Sequence, residues 1–116
     1  MSLCDEVFQV DDRIRCVAHL DENMCLKEMK MRPSVTSLTN EKTDEEFFSL
    51  IEPIILGASG KLENGFGRLK TIRMKYERAS IVFLRIPNAV IGISMEPGPT
   101  TPVIAKVGQR FKVNLE

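Results

Sequence analysis

Two cysteines and the single histidine lie close together, and these residue types bind transition metals or supply nucleophiles. Cys16, His19 and Cys25 fall within a ten-residue span. The stretch RIRCVAHL, residues 13–20, alternates as a β-strand does, so His19 points away from Cys16. A structural zinc site needs four ligands at tight spacing, and a cysteine nucleophile needs a base within hydrogen-bond reach. We therefore predict neither, and expect these cysteines and Cys4 to be buried, reduced thiols that pack as small hydrophobic side chains.

Carboxylates and glycines are the other groups that could carry chemistry. The acidic groups at 11–12, 21–22 and 44–46 have structural explanations as turn and helix-cap residues, so a carboxylate catalyst would require the fold to bring two of them together. The glycine-rich stretch 60–67 lacks both the phosphate-loop signature and the dinucleotide fingerprint. We predict no catalytic residue, no cofactor and no metal, and hence a protein that is not an enzyme.

One basic stretch, residues 68–78, stands out from the rest of the chain. It could contact an acidic protein, or nucleic acid with Phe66 and Tyr76 stacking on bases. It could also be an edge strand whose charges discourage aggregation. The chain carries 16 basic and 16 acidic residues, and this neutral total favours the edge strand or a protein contact over nucleic acid. The residues are Arg68, Lys70, Arg73, Lys75 and Arg78.

Length and composition restrict the class of protein. At 116 residues we predict a single domain, 1–116, with room for its own core. The three cysteines are odd in number and contain no C-x-x-C pair, which favours reduced thiols in the cytoplasm. The acidic N-terminus is unlike a secretory signal, and no apolar run is long enough for a membrane span. A net charge of zero makes self-association unsurprising.

Hydrophobic periodicity predicts helices and strands in the order α-β-β-α-β-β-β-α. The first helix begins with a Ser2–Asp5 capping box, the second with Thr43–Glu46, and the last with Thr101 before a proline. We expect Pro53 to kink or break the second helix, and Asn64–Gly65 to end it in a left-handed cap. The predicted helices are 2–10, 44–63 and 102–113, and the predicted strands are 13–20, 25–31, 69–77 and two within 80–97.

These strands predict one antiparallel sheet. A two-residue turn at residues 22–23 would pair Leu20 with Cys25, with Ile14 on the same face as Leu20. The last two strands, joined at Pro87–Asn88, are apolar on both faces, so they belong in the middle of the sheet. The prediction is therefore an α/β (α+β) fold, a five-stranded antiparallel sheet with helices on both faces.

The segments CVAHLDENMCLKEM, TDEEFFSLIEPIIL, KTIRMKYE and IVFLRIPNAVIGISME, followed by an amphipathic helix, resemble the roadblock/dynein-light-chain-like proteins. The likeness to profilin-like and longin-like domains is looser, and the chain looks most similar to an archaeal branch of roadblock-like proteins. The resemblance implies a non-enzymatic homodimer or heterodimer that scaffolds complexes or binds small GTPases. It also implies that the third strands of two protomers pair and that their central helices pack together, although Pro53 sits in that helix.

The resemblance also supplies a candidate surface for dimer or partner contacts. Pairing of two third strands about Lys75 would set Arg73 opposite Glu77 of the second copy, a favourable pair, but also Lys75 opposite its own copy, which is unfavourable and leaves other registers open. Met74→Pro would remove a ladder donor and give a monomer. The predicted function is a regulatory or scaffolding module that dimerises and binds a protein, with a small GTPase as one candidate. The alternative is a small-ligand sensor with a pocket between sheet and helices. The candidate surface residues are Phe48, Ile55, Arg73, Met74, Lys75, Tyr76 and Glu77.

Overall fold

A computed structural model describes residues 1–116, and its elements follow the predicted order. The predicted five-stranded antiparallel sheet is confirmed. Residues 1–35 with 70–116 form one compact unit, and residues 36–69 form a second; the single-domain assignment stays a prediction. The elements are α1 (Leu3–Phe8), β1 (Ile14–Leu20), β2 (Leu26–Met31), α2 (Glu41–Phe66), β3 (Thr71–Lys75), β4 (Ser80–Ile86), β5 (Ala89–Met95) and α3 (Thr101–Phe111).

The sheet has the strand order β2-β1-β5-β4-β3, so β5 is central and β2 and β3 are the edges. Side chains on both faces of β4 and β5 are buried, which is why these two strands read as continuous apolar runs. A two-residue turn at Pro87–Asn88 joins them, with Ile86 opposite Ala89 and Asn88 at a φ of 67°. The predicted central hairpin is therefore confirmed, and Arg85 lies beside its turn as expected.

Helices α1 and α3 pack on one face of the sheet, α1 against β1 and β2 and α3 against β4. The Ser2–Asp5 capping box is present, with hydrogen bonds of 3.2 and 3.3 Å. Helix α3 begins one residue earlier than predicted, and its N-cap is Thr100, whose side chain makes no capping bond. The core residues on this face are Cys4, Val7, Ile14, Val17, Val82, Leu84, Ile86, Ala89, Ile91, Ile93, Met95, Val103, Ile104, Val107 and Leu115.

The first hairpin differs from its prediction. Leu20 lies opposite Leu26, because the turn is longer than two residues: the Asp21 N–H donates to the Cys25 carbonyl at 2.9 Å. Met24 adopts the left-handed conformation, with a φ of 65°. The predicted pairing of Leu20 with Cys25 is therefore wrong, because the Asp21 carboxylate also accepts the Cys25 N–H and organises a wider loop.

An irregularity in β1 changes which face Ile14 occupies. Ile14 lies opposite Met95, whereas Cys16 lies opposite Ser94, so the register shifts between them. Neighbouring residues of β5 point to opposite faces. Ile14 is thus on the α1 and α3 side and Cys16 on the other, which corrects the prediction that they share a face. A β-bulge of this kind carries no sequence signal as clear as alternation.

Helix α2 is longer than predicted and is continuous. Asn40 is its N-cap and accepts the Thr43 N–H at 2.8 Å, so the predicted cap at Thr43 is wrong by three residues. The helix runs through Pro53 without a break, although a proline removes one intrahelical donor and crowds the preceding turn. It ends at Phe66, and its C-cap is Gly67, with a φ of 81°, rather than residues 64–65.

Candidate interaction surfaces

The cysteine and histidine side chains do not form a metal centre. Cys16 lies opposite Ser94 and His19 opposite Ile91 on β5, so the two side chains are on different faces of the sheet. Cys25 is exposed in the hairpin turn, which corrects the prediction that all three thiols are buried. The structure brings no three His, Cys, Asp or Glu side chains close enough to share an ion.

Cys4 is the buried thiol, and its surroundings keep it protonated. Its Sγ donates to the Val17 carbonyl at 3.6 Å. Burial, with the Glu28 carboxylate beside it, raises the pKa of Cys4 to about 12. A thiolate is the reactive form, so Cys4 acts as a packing residue where α1 meets the sheet.

An exposed ion pair joins α1 to the edge strand β2. The Lys30 Nζ lies 3.2 Å from each carboxylate oxygen of Asp5. This contact holds the pKa of Asp5 below its ordinary value and raises the pKa of Lys30. The first helix is thereby tied to β2 as well as to the core.

Helix α2 carries apolar side chains over about half of its circumference, and only part of that surface is buried. Ile51, Ile55 and Ser59 form the buried row. The second apolar row, here the α2 stripe, is Leu50, Ile54, Ala58 and Leu62, and only Ala58 among them is half-buried. Leu50, Ile54 and Leu62 are 68%, 59% and 50% exposed. A four-residue spacing places the stripe along one ridge of the helix, and clustered exposed apolar side chains mark interaction sites.

The two predicted α2 residues lie beside this stripe. Ile55 is only 7% exposed and Phe48 is half-buried. The rings of Phe47 and Phe48 meet edge to face, with centroids 5.7 Å apart. Sequence periodicity assigns Leu50, Ile54 and Leu62 to the apolar face of the helix, and Ile55 to the candidate surface. The structure leaves the first three exposed and buries Ile55, so periodicity carries no signal for which apolar residues of α2 are exposed.

Strand β3 is an edge strand, and alternate residues present backbone groups on its free side. The Arg85 N–H donates to the Lys70 carbonyl and the Tyr76 N–H to the Ala79 carbonyl. Even-numbered residues of β3 therefore face β4, because antiparallel pairs alternate. The N–H and C=O groups of residues 71, 73 and 75 face outward. The ladder donor of Met74 consequently belongs to β4, so Met74→Pro damages the protomer rather than a partner contact.

The predicted Arg73–Glu77 pair between copies does not suit this geometry. The Arg73 guanidinium donates to the Thr101 Oγ1 at 2.9 Å and to the Glu116 Oε2 at 3.0 Å. Glu77 lies beyond the end of β3, in the short turn that joins it to β4. Arg73 is thus engaged by Thr101 and Glu116 of its own chain.

The remaining candidate residues divide by face. Met74 and Tyr76 lie on the side of β3 opposite Arg73 and Lys75, because neighbouring strand residues alternate. Tyr76 is 55% exposed, Met74 is half-buried and Lys75 is exposed. The edge therefore has an apolar side and a basic side. Its outer basic residues Arg68, Lys75 and Arg78 are exposed.

Comparisons with known proteins place the fold. No family model and no curated protein matches the chain, but solved structures do. The gliding protein MglB from Thermus thermophilus aligns with a TM-score of 0.69 and 12% identity over 94% of this chain and 80% of that one. MglB with a tetrameric arrangement aligns with a TM-score of 0.70 and 12% identity over 94% of this chain and 79% of that one. A Roadblock/LC7 domain from Streptomyces avermitilis aligns with a TM-score of 0.66 and 7% identity over 95% of this chain and 89% of that one.

The chain thus has the α/β fold of roadblock/LC7 domains. Among the solved structures, it is similar in fold to MglB. The sequence identities are too low to carry more than the fold. None of the three helices combines the length and apolarity that a membrane crossing requires.

Proposed function

We propose that this chain is a non-enzymatic regulatory or scaffolding module that forms a homodimer, and that the dimer binds a further protein. Its cytoplasmic location and archaeal origin are part of the proposal, supported by the odd number of cysteines without a C-x-x-C pair and by the sequence resemblance. A small GTPase is the proposed class of partner, again from the resemblance. The small-ligand alternative stays a prediction, since no specific observation favours it.

The observation that carries the proposal is the exposed α2 stripe. Leu50, Ile54 and Leu62 are each at least half exposed in the protomer. Residues at four-residue intervals form the ridge that interdigitates with an identical ridge at a crossing angle of about −50°. A second copy is the occupant we favour, because the stripe is uncharged and the chain has no net charge to oppose self-association. The tetrameric arrangement of an MglB of the same fold supports self-assembly.

The free edge of β3 offers a separate contact between two copies of the chain. With the two-fold axis at Met74, the outward groups of Arg73 in one copy meet those of Lys75 in the other. On the apolar side, Met74 faces its own copy and Ile72 faces Tyr76 of the second copy, which are favourable pairs. On the basic side Arg73 meets Lys75, and Glu116 already neutralises part of that charge. This register replaces the one centred on Lys75.

Light scattering combined with size-exclusion chromatography tests the α2 stripe. The double variant Leu50→Glu/Ile54→Glu places four carboxylates in the proposed contact and should elute with half the mass of the wild type. Leu56→Glu is the matched control, because Leu56 is an exposed apolar residue of α2 that lies off the stripe, and it should keep the dimer mass. An unchanged mass for the double variant, with a native circular dichroism spectrum, overturns the proposed α2 contact.

Partner binding is tested separately with small GTPases purified from the source cell. The wild-type chain should retain at least one of them in one nucleotide state, GDP or a non-hydrolysable GTP analogue, and not equally in both. Retention that does not depend on the nucleotide, or no retention above an inert-protein control, counts against a GTPase partner.

A further inference from the structure

The second edge of the sheet, β2, also presents unpaired backbone groups. The Arg32 N–H donates to the Arg15 carbonyl at 2.8 Å, so the even-numbered residues of β2 face β1. By alternation, Met29 and Met31 direct their N–H and C=O groups away from the sheet. An edge of this kind is a template for another strand.

The side chains of β2 divide into an apolar and a charged row. Leu26, Met29 and Met31 are 49%, 37% and 36% exposed and share a face, because they lie opposite Leu20, Ala18 and Cys16. Glu28 and Lys30 occupy the other face, and their side chains are 34% and 41% exposed. The charged row alternates in sign along the strand.

We propose that β2 pairs antiparallel with β2 of a second copy of this chain, with the two-fold axis at Met29. In this register each Glu28 lies directly opposite the second copy's Lys30, so one interface holds two opposite-charge pairs. On the apolar face, Met29 meets its own copy and Met31 lies beside Lys27, whose side chain is largely exposed. Four outward backbone groups per copy, from Met29 and Met31, gain partners.

Charge selects this register over its neighbours. An axis at Glu28 sets two carboxylates opposite each other, and an axis at Lys30 sets two ammonium groups opposite each other. An axis at Met31 places Lys30 against Arg32. Each alternative opposes at least one like-charged pair, which destabilises a strand pair. The axis at Lys30 would also set Glu28 opposite Arg32, but the Arg32 guanidinium already donates to backbone carbonyls of its own chain. Only the axis at Met29 sets opposite charges against each other with no like-charged pair.

The existing contacts of Lys30 are compatible with the pairing. Its Nζ already lies 3.2 Å from Asp5 and 3.8 Å from Glu28 of the same chain. An ammonium group has three donors, so Lys30 can keep Asp5 and also face the second copy's Glu28. The pairing goes beyond the proposed dimer because it uses the opposite edge of the sheet. Two self-complementary edges on one protomer would link dimers into tetramers or longer rows.

Two single charge reversals test the proposal. Glu28→Lys or Lys30→Glu alone sets like charges opposite each other throughout the interface, and each should raise the concentration needed for β2-dependent association by about tenfold or more. An equimolar mixture of the two variants restores two opposite-charge pairs, so association should recover in the mixture. Sedimentation velocity over a concentration series measures all three samples, and 0.5 M NaCl should weaken the recovered species.

The mixture also protects the test from misfolding, because a variant that fails to fold cannot recover. Met29→Pro, which removes an outward N–H, is a second route to the same loss. The concentration series is repeated in the Leu50→Glu/Ile54→Glu variant. Loss of the α2 contact should lower the mass of the assembly there, but the remaining association should still depend on Glu28 and Lys30. Single variants that associate as the wild type does, or folded variants whose mixture does not recover, overturn the proposal.

Discussion

Replacing Lys75 by proline probes the free edge of β3 without disturbing the protomer. The Lys75 N–H faces away from β4, whereas the N–H of its neighbour Met74 faces toward it. Proline has no N–H and is tolerated on an edge strand where the lost donor points to solvent. Lys75→Pro should therefore weaken dimerisation and Met74→Pro should weaken the fold.

The magnitudes follow from the number of hydrogen bonds lost. With the axis at Met74, each Lys75 N–H donates to an Arg73 carbonyl of the other copy, so two bonds disappear per dimer. At roughly 0.5–1.5 kcal/mol each the loss is about 1–3 kcal/mol, which raises the dissociation constant roughly 5- to 150-fold. Met74→Pro leaves the Ile81 carbonyl opposite it without its donor, which lowers the free energy of unfolding by about 1–3 kcal/mol.

Sedimentation equilibrium gives the dissociation constant, and urea denaturation gives the free energy of unfolding. Lys75→Ala is the matched control, since it removes the same charge and keeps the N–H. It should dimerise at least as well as the wild type, because Lys75 faces Arg73 in the proposed register. If Lys75→Pro and Lys75→Ala have the same dissociation constant, β3 pairing is refuted.

Four further predictions concern stability and reactivity. Gly57→Ala should raise the free energy of unfolding by up to about 1 kcal/mol, because a Cβ there meets open space. Gly108→Ala should lower it, because its Cβ would lie 2.7 Å from a backbone carbonyl oxygen; chemical denaturation measures both. At pH 8 a thiol reagent such as dithionitrobenzoate should modify the exposed Cys25 rapidly and Cys4 only on unfolding, since burial raises the pKa of Cys4 to about 12. The pKa of Asp5 is lowered in the folded protein, so its carboxylate stabilises the fold above its unfolded pKa, and this stabilisation is lost as the pH falls through the folded pKa. Asp5→Asn should therefore flatten the pH dependence of the free energy of unfolding below about pH 4.

Three outcomes would contradict the predictions for Gly57, Cys4 and Asp5. A loss of stability in Gly57→Ala would show that this glycine is needed for a reason other than helix propensity. Rapid modification of Cys4 in folded protein would show that α1 opens readily. If Asp5→Asn leaves the free energy of unfolding below about pH 4 unchanged, the ion pair between Asp5 and Lys30 does not contribute to holding α1 against β2.

Element order and the central hairpin were predictable because they depend on local patterns. Strand alternation, the Ser2 capping box and the Pro87–Asn88 turn each involve residues within a few positions of one another. The register of the first hairpin was not predictable, because the Asp21 carboxylate organises a turn wider than two residues. The face of Ile14 was missed for a related reason, since a bulge changes alternation without a distinctive residue type.

The candidate surface shows the same division between local and tertiary information. Periodicity established that α2 has an apolar face and assigned Ile54 to it, with Ile55 on the candidate surface, but the two side chains are equally apolar. The tertiary structure buries Ile55 and exposes Ile54, and it assigns the Met74 donor to β4 rather than to a partner. The sequence by itself determined which segments are helices and strands, since short-range periodicity and capping decide those. Exposure, register and the direction of each edge hydrogen bond depend on contacts between distant parts of the chain, and only the folded structure decided them.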